Sequence, residues 1–204
     1  MSATPCLPVA ALILAAGSAT RMGRLKQLLP YAGRTLVEHA VRQALEAGFA
    51  PVIVVIGAEA QALRAALASK HVEIVENENW PLGMGSSLAA GTRYLQTLGT
   101  DAAALAVLLA DQPLVTAAHL IAMRRLLHTG HAVAVAAQYN GTLGVPALFK
   151  REMFGRLASL RPEAGARDLL RNQEFDVAAF PLPEAAMDID TPADFAALEM
   201  TATS

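Results

Sequence analysis

The chain has 204 residues, of which 54% are hydrophobic and 17% charged, and its formal net charge is -2. A chain of this length can bury a core without disulfides or a structural metal, so we predict that residues 1–204 form a single domain. It has no block of Lys or Arg of the kind that binds nucleic acid, and its apolar runs are too short to span a membrane. We therefore expect neither nucleic acid nor a membrane among its partners.

The N-terminal region bears on the cellular compartment. The apolar run 9–16 has no basic residue before it and leads into a glycine-containing loop, which favours a buried strand over a signal peptide. The single cysteine, Cys6, cannot form an intrachain disulfide, in agreement with a reducing compartment. We expect a cytoplasmic protein.

The apolar pattern along the chain predicts an α/β fold. Short runs rich in β-branched residues alternate with stretches of helical apolar spacing, which is typical of βα units around a mostly parallel sheet. We predict strands at 9–15, 52–56, 72–75, 103–109 and 132–137. We predict helices at 35–47, 59–68, 86–98 and 116–127, the last with Thr116 as its cap. We also predict less regular structure from Gly141 onward and a last helix beginning near Pro192. In such sheets ligands bind beyond the carboxyl ends of the strands.

The loop after the first strand combines small residues with cations. Gly17 and its neighbours let main-chain N–H groups approach phosphate oxygens, and Arg21 and Lys26 can supply compensating charge. The spacing is neither that of a Walker P-loop nor G-x-G-x-x-G. A polyphosphate site and an ordinary tight turn with solvated cations are both compatible with these residues.

A second glycine-containing loop precedes the helix predicted at 86–98. Gly83 and Gly85 permit close main-chain approach, and a helix start at Ser86 would offer unpaired N–H donors and a positive dipole end to a ligand. Helix capping by Ser86 and turn geometry at the glycines would also explain the pattern. Trp80, just before, is more typical of a packing residue than of a stacking platform.

Two aspartates stand where a divalent cation could use them. Asp111 directly follows the buried run 104–110, the place expected for a ligand-facing side chain, although an isolated Asp there could cap a loop. Asp190 lies in a second acidic segment with Asp188 and Asp194, and Asp194 reads as a first-turn helix acid. Mg²⁺ is commonly held by one or two carboxylates together with substrate phosphates, so Asp111 and Asp190 are the predicted metal ligands.

The string L-A-A-G-x-x-x-R-M-G-x-x-K-x-L-L-P at 14–30 resembles the signature of the MobA-like nucleotidyltransferase superfamily, especially its molybdenum cofactor cytidylyltransferase (MocA-like) branch. G-M-G-S-S-L, L-x-D-x-P and D-I-D-T-P-x-D resemble further motifs of that family in the same order. The resemblance implies a single-domain, Rossmann-like three-layer sandwich of the nucleotide-diphospho-sugar transferase type. It also implies Mg²⁺, with Mn²⁺ as a possible substitute, on Asp111 and Asp190.

By the same resemblance, the chain would move a nucleotide from a nucleoside triphosphate onto a phosphorylated small molecule and release pyrophosphate. Lys26, Arg21 and Asp111 would be catalytic. Ala16, where the guanylyl branch usually has Gly, favours CTP. The residues implied to bind the nucleotide are Leu14, Ala15, Ala16, Gly17, Arg21, Lys26, Gly83, Gly85, Ser86 and Ser87.

The acceptor segments depart from the family pattern. Val145 stands where the cytidylyltransferases often have His, and 161–167 keeps Gly-Ala-Arg but loses the acidic-basic pair before it. A molybdopterin-type cofactor is the first expectation for the acceptor, and Arg167 could bind an acidic group or be a solvated helix residue. The alternatives are a sugar phosphate or methylerythritol phosphate as acceptor, and a non-catalytic nucleotide- or cofactor-binding chaperone. A molybdoenzyme is a possible partner.

Overall fold

The computed structural model describes residues 7–18 and 25–202, the last four of them by backbone only. The strands are β1 (Val9–Leu14), β2 (Pro30–Tyr31), β3 (Arg34–Thr35), β4 (Val52–Ile56), β5 (Glu73–Glu76), β6 (Ala104–Leu109), β7 (Ala134–Tyr139), β8 (Thr142–Lys150) and β9 (Val177–Pro181). The helices are α1 (Leu36–Glu46), α2 (Ala60–Leu67), α3 (Met84–Thr97), α4 (Ala117–Thr129), α5 (Phe154–Ala158), α6 (Ala166–Leu170) and α7 (Pro192–Ala202). Short 3₁₀ turns lie at Lys26–Leu28, Trp80–Leu82, Arg151–Met153 and Pro183–Ala186.

Seven strands form one mostly parallel sheet in the order β5-β4-β1-β6-β8-β7-β9, and β2 pairs with β3 in a separate hairpin. β8 is antiparallel to both of its neighbours, β6 and β7, whereas the other pairs in the main sheet are parallel. The first strands are buried on both faces because helices cover both sides of the sheet. The predicted α/β class and mostly parallel sheet are confirmed.

Alternate residues of β1 point to opposite layers, as the period of a strand requires. Ala11 and Ile13 belong to a core shared with α1, α2 and α4, whereas Ala10 and Leu12 belong to a core shared with α3, α5 and α6. The molecule is therefore a three-layer sandwich. The prediction that all of residues 1–204 form one domain stays a prediction.

The prediction of less regular structure from Gly141 onward was wrong. β8 is nine residues long and central in the sheet, and α5, α6 and β9 follow it. Gly144 and Pro146 hide this strand, since proline cannot donate to a ladder. The strand keeps Gly144 in the ladder opposite Ala137 and tolerates Pro146 through a bulge, because the next pair is Ala136 with Ala147, which leaves Val145 and Pro146 without opposite residues.

Two helix starts illustrate local capping. Thr35 and Thr116 are the N-caps of α1 and α4, and each side chain accepts the N–H of the residue three positions later. The predicted Thr cap at 116 is thus confirmed. Among residues 7–18 and 25–202, none of the helices has the length and apolar character needed to span a bilayer.

Candidate active site at the carboxyl edge of the sheet

The loop that follows β1 is closed by a buried glutamine. The Gln27 side chain donates through Nε2 to the carbonyl oxygens of Ala15 at 3.2 Å and Gly17 at 2.9 Å. These carbonyls stand at the beginning of the loop and Gln27 at its end, so one amide holds both ends together. Arg21, predicted to bind phosphate, lies outside the described residues.

Lys26 joins the two aspartates predicted to hold a metal. Its Nζ lies 2.5 Å from Asp111 Oδ2 and 2.7 Å from Asp190 Oδ1. The side chains of Lys26 and Asp111 are 16% and 14% exposed, whereas that of Asp190 is 46% exposed. Burial by itself lowers the pKa of Lys26, but the neighbouring Asp111 and Asp190 outweigh it and raise the pKa. The structure thus brings together three residues that are far apart in sequence, around one protonated amine.

Apolar packing explains how Asp190 reaches this place. Leu29, close to Lys26, and Ile189, next to Asp190, are buried in the same small cluster, whose buried members are Leu29, Leu36, Ile189, Phe195 and Leu198. The main-chain N–H of Ile189 also donates to the carbonyl oxygen of Asp111 at 3.1 Å. The segment that contains Ile189 and Asp190 is therefore fixed against both the turn at Lys26–Leu28 and the end of β6.

The two other acids of that segment have different environments. Asp194 Oδ2 accepts the main-chain N–H groups of Asp190 at 3.1 Å and Thr191 at 2.7 Å, which confirms it as a first-turn acid of α7. The Oδ1 atom of Asp188 is buried and has no hydrogen-bond partner. Burial, together with the nearby charge of Asp111, raises the pKa of Asp188 to about 6. The sequence favours Asp111 and Asp190 over Asp188 as metal ligands, but the structure places Asp188 close to the charges of both.

A cavity of about 240 Å³ opens beside Lys26 and Asp111, and we call it the loop cavity. Six of the predicted nucleotide-binding residues line it, and they are Leu14, Ala16, Gly17, Lys26, Gly83 and Ser87. Its other lining residues are Gln27, Trp80, Met84, Leu109 and Asp111. Ala15, Gly85 and Ser86 are buried and lie outside the cavity lining.

The predicted helix start at Ser86 was wrong. α3 begins at Met84 after Gly83, and the N–H groups expected to be free are engaged: Gly85 donates to Pro162 O at 3.0 Å and Ser86 to Gly83 O at 3.1 Å. The Ser86 hydroxyl donates to main-chain carbonyls, that of Gly83 at 2.8 Å among them, and accepts from Asn77 Nδ2. Serine at this position therefore stabilises the turn before α3 from inside the helix. Ser87 Oγ also accepts from Asn77 Nδ2, at 3.0 Å.

A second cavity of about 410 Å³, which we call the arginine cavity, adjoins the first. The two share Met84 and Leu109 in their linings, and Asp188 lines the arginine cavity. Arg167 and Arg171 line it too, and Arg167 Nη2 donates to Tyr139 Oη at 3.2 Å with its guanidinium 5.9 Å from the ring centre. Arg167 is exposed, which agrees with its interpretation as a solvated helix residue, yet it also lines this cavity. Val145, the departure from the family pattern, is buried in the same wall.

Sequence reasoning missed some of the residues around these cavities. Met84 went unnoticed, Gln27 was not among the predicted site residues, and Trp80 was set aside although it lines the loop cavity. Trp80 also has a packing role, because a Cβ at Gly57 would stand 2.6 Å from its ring. Their positions in the chain could have indicated them, because Gln27 follows Lys26, which was predicted to bind phosphate, and Met84 stands between Gly83 and Gly85.

The fold and this edge define a class of protein. A glycine-containing loop after the first strand, at the carboxyl edge of an open α/β sheet, is typical of proteins that bind nucleotides, and the cavities beside it are the expected place for a ligand. Comparison with known proteins identifies the family.

A sequence model described as the MobA-like NTP transferase domain matches residues 11–177. The chain is 36% identical over 179 residues to nicotine blue oxidoreductase of Paenarthrobacter nicotinovorans, covering 83% of each protein. It is 30% identical over 193 residues to purine catabolism protein PucB of Bacillus subtilis, covering 89% of this chain and 91% of that protein. The crystal structure of Rv0371c from Mycobacterium tuberculosis superposes with a TM-score of 0.78 at 29% identity, over 94% of this chain and 97% of that one.

The chain belongs to the MobA-like NTP transferase family, as the motifs predicted. It is therefore a nucleotidyltransferase, and its fold is that of the nucleotide-diphospho-sugar transferases. The family binds nucleoside triphosphates and phosphorylated substrates and uses divalent metals, and Rv0371c has been solved in complex with manganese.

Proposed function

We propose that this protein transfers the cytidylyl group of CTP to the phosphate of a molybdopterin-type cofactor and releases pyrophosphate, in the cytoplasm. The observation that carries the proposal is the meeting of Lys26, Asp111 and Asp190 beside the loop cavity, which adjoins the arginine cavity. A nucleotide in the first cavity and an anionic acceptor in the second would place their reacting groups beside these charges.

The side chains at this edge suit a divalent cation. Asp111 and Asp190 offer carboxylate oxygens, and Asp188 adds a buried oxygen without a hydrogen-bond partner, a donor set that a hard cation such as Mg²⁺ or Mn²⁺ prefers. In the described part of the chain, no three His, Cys, Asp or Glu side chains are grouped as a complete metal site. Two carboxylates completed by substrate phosphate oxygens and water are the usual Mg²⁺ arrangement. Such a cation, held by Asp111 and Asp190, would neutralise charge on the phosphate oxygens.

The reaction is an in-line displacement at phosphorus. An oxygen of the acceptor phosphate forms a bond to the α-phosphorus of CTP while the bond from that phosphorus to the bridging oxygen of the β-phosphate breaks. The bonding electrons leave with pyrophosphate, and a new pyrophosphate linkage joins acceptor and nucleotide. The step needs no protein nucleophile, so the protein contributes positioning and charge stabilisation.

Lys26 and Arg21 supply the positive charge for this step. Lys26 lines the loop cavity, and its ammonium is charged in the folded protein because Asp111 and Asp190 flank it. A triphosphate in that cavity could also accept a hydrogen bond from this ammonium, because its three N–H donors can contact a phosphate oxygen in addition to the two carboxylates. The resemblance of 14–30 to the family signature supports the corresponding role for Arg21, and Gly17 would let the main chain approach the phosphates.

The choice of substrates rests on different residues. Ala16, in the wall of the loop cavity, supports CTP through the resemblance to the cytidylyl branch. Arg167 and Arg171 supply two guanidinium groups suited to a phosphate or carboxylate of the acceptor. Val145 stands where the cytidylyltransferases often have His. The experiment below therefore includes other phosphorylated acceptors, namely a sugar phosphate and methylerythritol phosphate.

The test is pyrophosphate release by the purified protein with CTP, GTP, ATP and UTP, each combined with molybdopterin, a sugar phosphate and methylerythritol phosphate in Mg²⁺ or Mn²⁺. We expect the CTP and molybdopterin pair to react fastest, and EDTA to stop the reaction. Release with another pair would correct the substrate and keep the reaction class. No release with any pair, together with tight binding of CTP or of a molybdoenzyme, would favour the non-catalytic chaperone. Redox chemistry like that in the name of the Paenarthrobacter nicotinovorans relative would also give no pyrophosphate.

A further inference from the structure

The two glycines before and in the first turn of α3 are packed against main chain from a distant segment. A Cβ placed on Gly85 would stand 2.1 Å from the carbonyl oxygen of Arg161 and 2.5 Å from that of Ala164. A Cβ on Gly83, where φ is +129°, would stand 2.3 Å from the carbonyl oxygen of Pro162. Because these neighbours are backbone atoms, they cannot move aside by a rotamer change. Glycine at 85 is therefore required by the protein's own 161–164 main chain.

A hydrogen bond fixes the same contact. The N–H of Gly85 donates to the carbonyl oxygen of Pro162 at 3.0 Å, so the first turn of α3 and the 161–165 segment are joined through their backbones. The side chains of Arg161 and Glu163 are 81% and 65% exposed and give this segment little anchoring of their own. The position of the segment thus depends on main-chain contact with Gly85.

The 161–165 segment leads directly into the wall of the arginine cavity. Its residues Glu163, Ala164 and Gly165 line the cavity, and α6 follows, with Arg167 in it and Arg171 directly after its last residue. The Gly165 N–H donates to Asp168 Oδ2 at 2.6 Å, so the start of α6 is tied to the end of the segment. A displacement of the segment would therefore displace α6 together with Arg167 and the adjacent Arg171.

We propose that Gly85 is a positioning residue for the acceptor, acting through the 161–165 segment, although its motif resembles a nucleotide-binding one. This inference rests on the proposed function, in which the arginine cavity receives the acceptor. Gly85 is buried and lies outside the lining of the loop cavity, whereas Ala164, one of its backbone neighbours, lines the arginine cavity, and Arg161 and Pro162 immediately precede the lining residues 163–165. Its replacement will therefore affect the acceptor more than the nucleotide.

The test is Gly85→Ala, followed by hydrogen exchange, binding and kinetics. We expect faster amide exchange across 161–168, and a KM for molybdopterin raised by about tenfold, which corresponds to about 1.4 kcal/mol. The Kd of CTP should change by less than about threefold, which corresponds to less than about 0.7 kcal/mol. A purely structural role would not separate the two substrates in this way.

Two glycines provide matched controls for the same substitution. Gly91→Ala lies in the same helix, but its Cβ would meet core side chains, Leu12 Cδ1 at 2.2 Å and Val55 Cγ2 at 2.8 Å. It should lower the Tm without raising the molybdopterin KM relative to the CTP Kd. Gly155→Ala in α5 has open space around its Cβ and should leave exchange at 161–168 and both substrate constants unchanged.

Opposite results would overturn the inference. If Gly85→Ala weakens CTP binding and leaves both the molybdopterin KM and exchange at 161–168 unchanged, Gly85 serves the nucleotide. If the unmodified protein releases no pyrophosphate from any pair, the proposed function fails. Hydrogen exchange still tests the other part of the inference, because unchanged exchange in Gly85→Ala would show that Gly85 does not position the 161–165 segment. Should Gly85→Ala not fold, Pro162→Gly loosens the same segment and should show the same selectivity with a smaller effect; equal effects on both substrates would contradict it.

Discussion

The two adjoining cavities are built in different ways. The loop cavity is formed by small residues, main chain and buried polar groups, with Gln27 closing the loop and Lys26 held between two carboxylates. In the arginine cavity, by contrast, the basic groups are the exposed side chains of Arg167 and Arg171, which donate to Tyr139 and Thr142 respectively. A wall of main chain changes only when the backbone moves, whereas a wall of side chains changes one substitution at a time. A single substitution can therefore change the basic groups of the arginine cavity, where the acceptor segments depart from the family pattern, more readily than the main chain of the loop cavity.

The sharpest way to break this comparison is Asp111→Asn. We expect turnover to fall by about a thousandfold, because removal of a charged ligand from a metal-assisted phosphoryl-type site costs roughly 3–4 kcal/mol of transition-state stabilisation. Pyrophosphate release measures the loss, and thermal unfolding should show a small change in Tm. Asp101→Asn, an exposed aspartate elsewhere, is the control. Normal turnover in Asp111→Asn would end the proposed metal role.

Lys26→Met separates the charge of the lysine from its packing. We expect turnover to fall by about a hundredfold, in the range of one lost charged contact to the phosphates. Without nucleotide, the variant should bind Mn²⁺ about tenfold more tightly than the unmodified protein, since the ammonium no longer neutralises Asp111 and Asp190. Titration followed by electron paramagnetic resonance measures this affinity.

Lys70→Met is the matched control. Lys70 also forms an ion pair, with Glu38 at a distance of 3.0 Å, but it lines neither cavity. It should change neither turnover nor Mn²⁺ affinity. Equal Mn²⁺ affinity in Lys26→Met and the unmodified protein would show that the lysine and the cation do not compete for the same carboxylates.

Arg167→Ala tests the acceptor side. We expect the molybdopterin KM to rise by about tenfold, the effect of one lost charge-assisted hydrogen bond, with the CTP KM unchanged. Steady-state kinetics with each substrate varied in turn separates the two constants. Arg125→Ala on exposed α4 surface should leave both unchanged. A parallel rise in the CTP KM would mean that the two cavities do not divide the substrates.

Gln27→Leu gives the smallest expected effect and tests the rigidity of the loop cavity. Loss of the two hydrogen bonds to Ala15 and Gly17 should raise the CTP KM severalfold and lower the free energy of unfolding by about 1–3 kcal/mol. The molybdopterin KM should stay the same. Chemical denaturation and CTP titration provide the two measurements, and Gln61→Leu on α2, which lies on the exposed surface, is the control.

Local sequence determined the parts of this protein whose signals are short-range. The strand at 52–56 and the Thr cap at 116 have the predicted positions, because strand burial and capping depend on neighbours within a few residues. The family motifs depend on the order of residues along the chain, and they identified the family correctly. Lys26, Asp111 and Asp190 could be proposed as partners only because the motifs named them separately.

Only the tertiary structure decided the rest. β8 is a strand despite Pro146 because a bulge within it leaves Val145 and Pro146 without opposite residues in β7. Gly85 must be glycine because a backbone segment from far along the chain packs on it, and Asp190 reaches Lys26 because Ile189 and Leu29 share a buried cluster. Contacts between residues that are distant in sequence depend on how the whole chain packs, so no local pattern of residue types contains them.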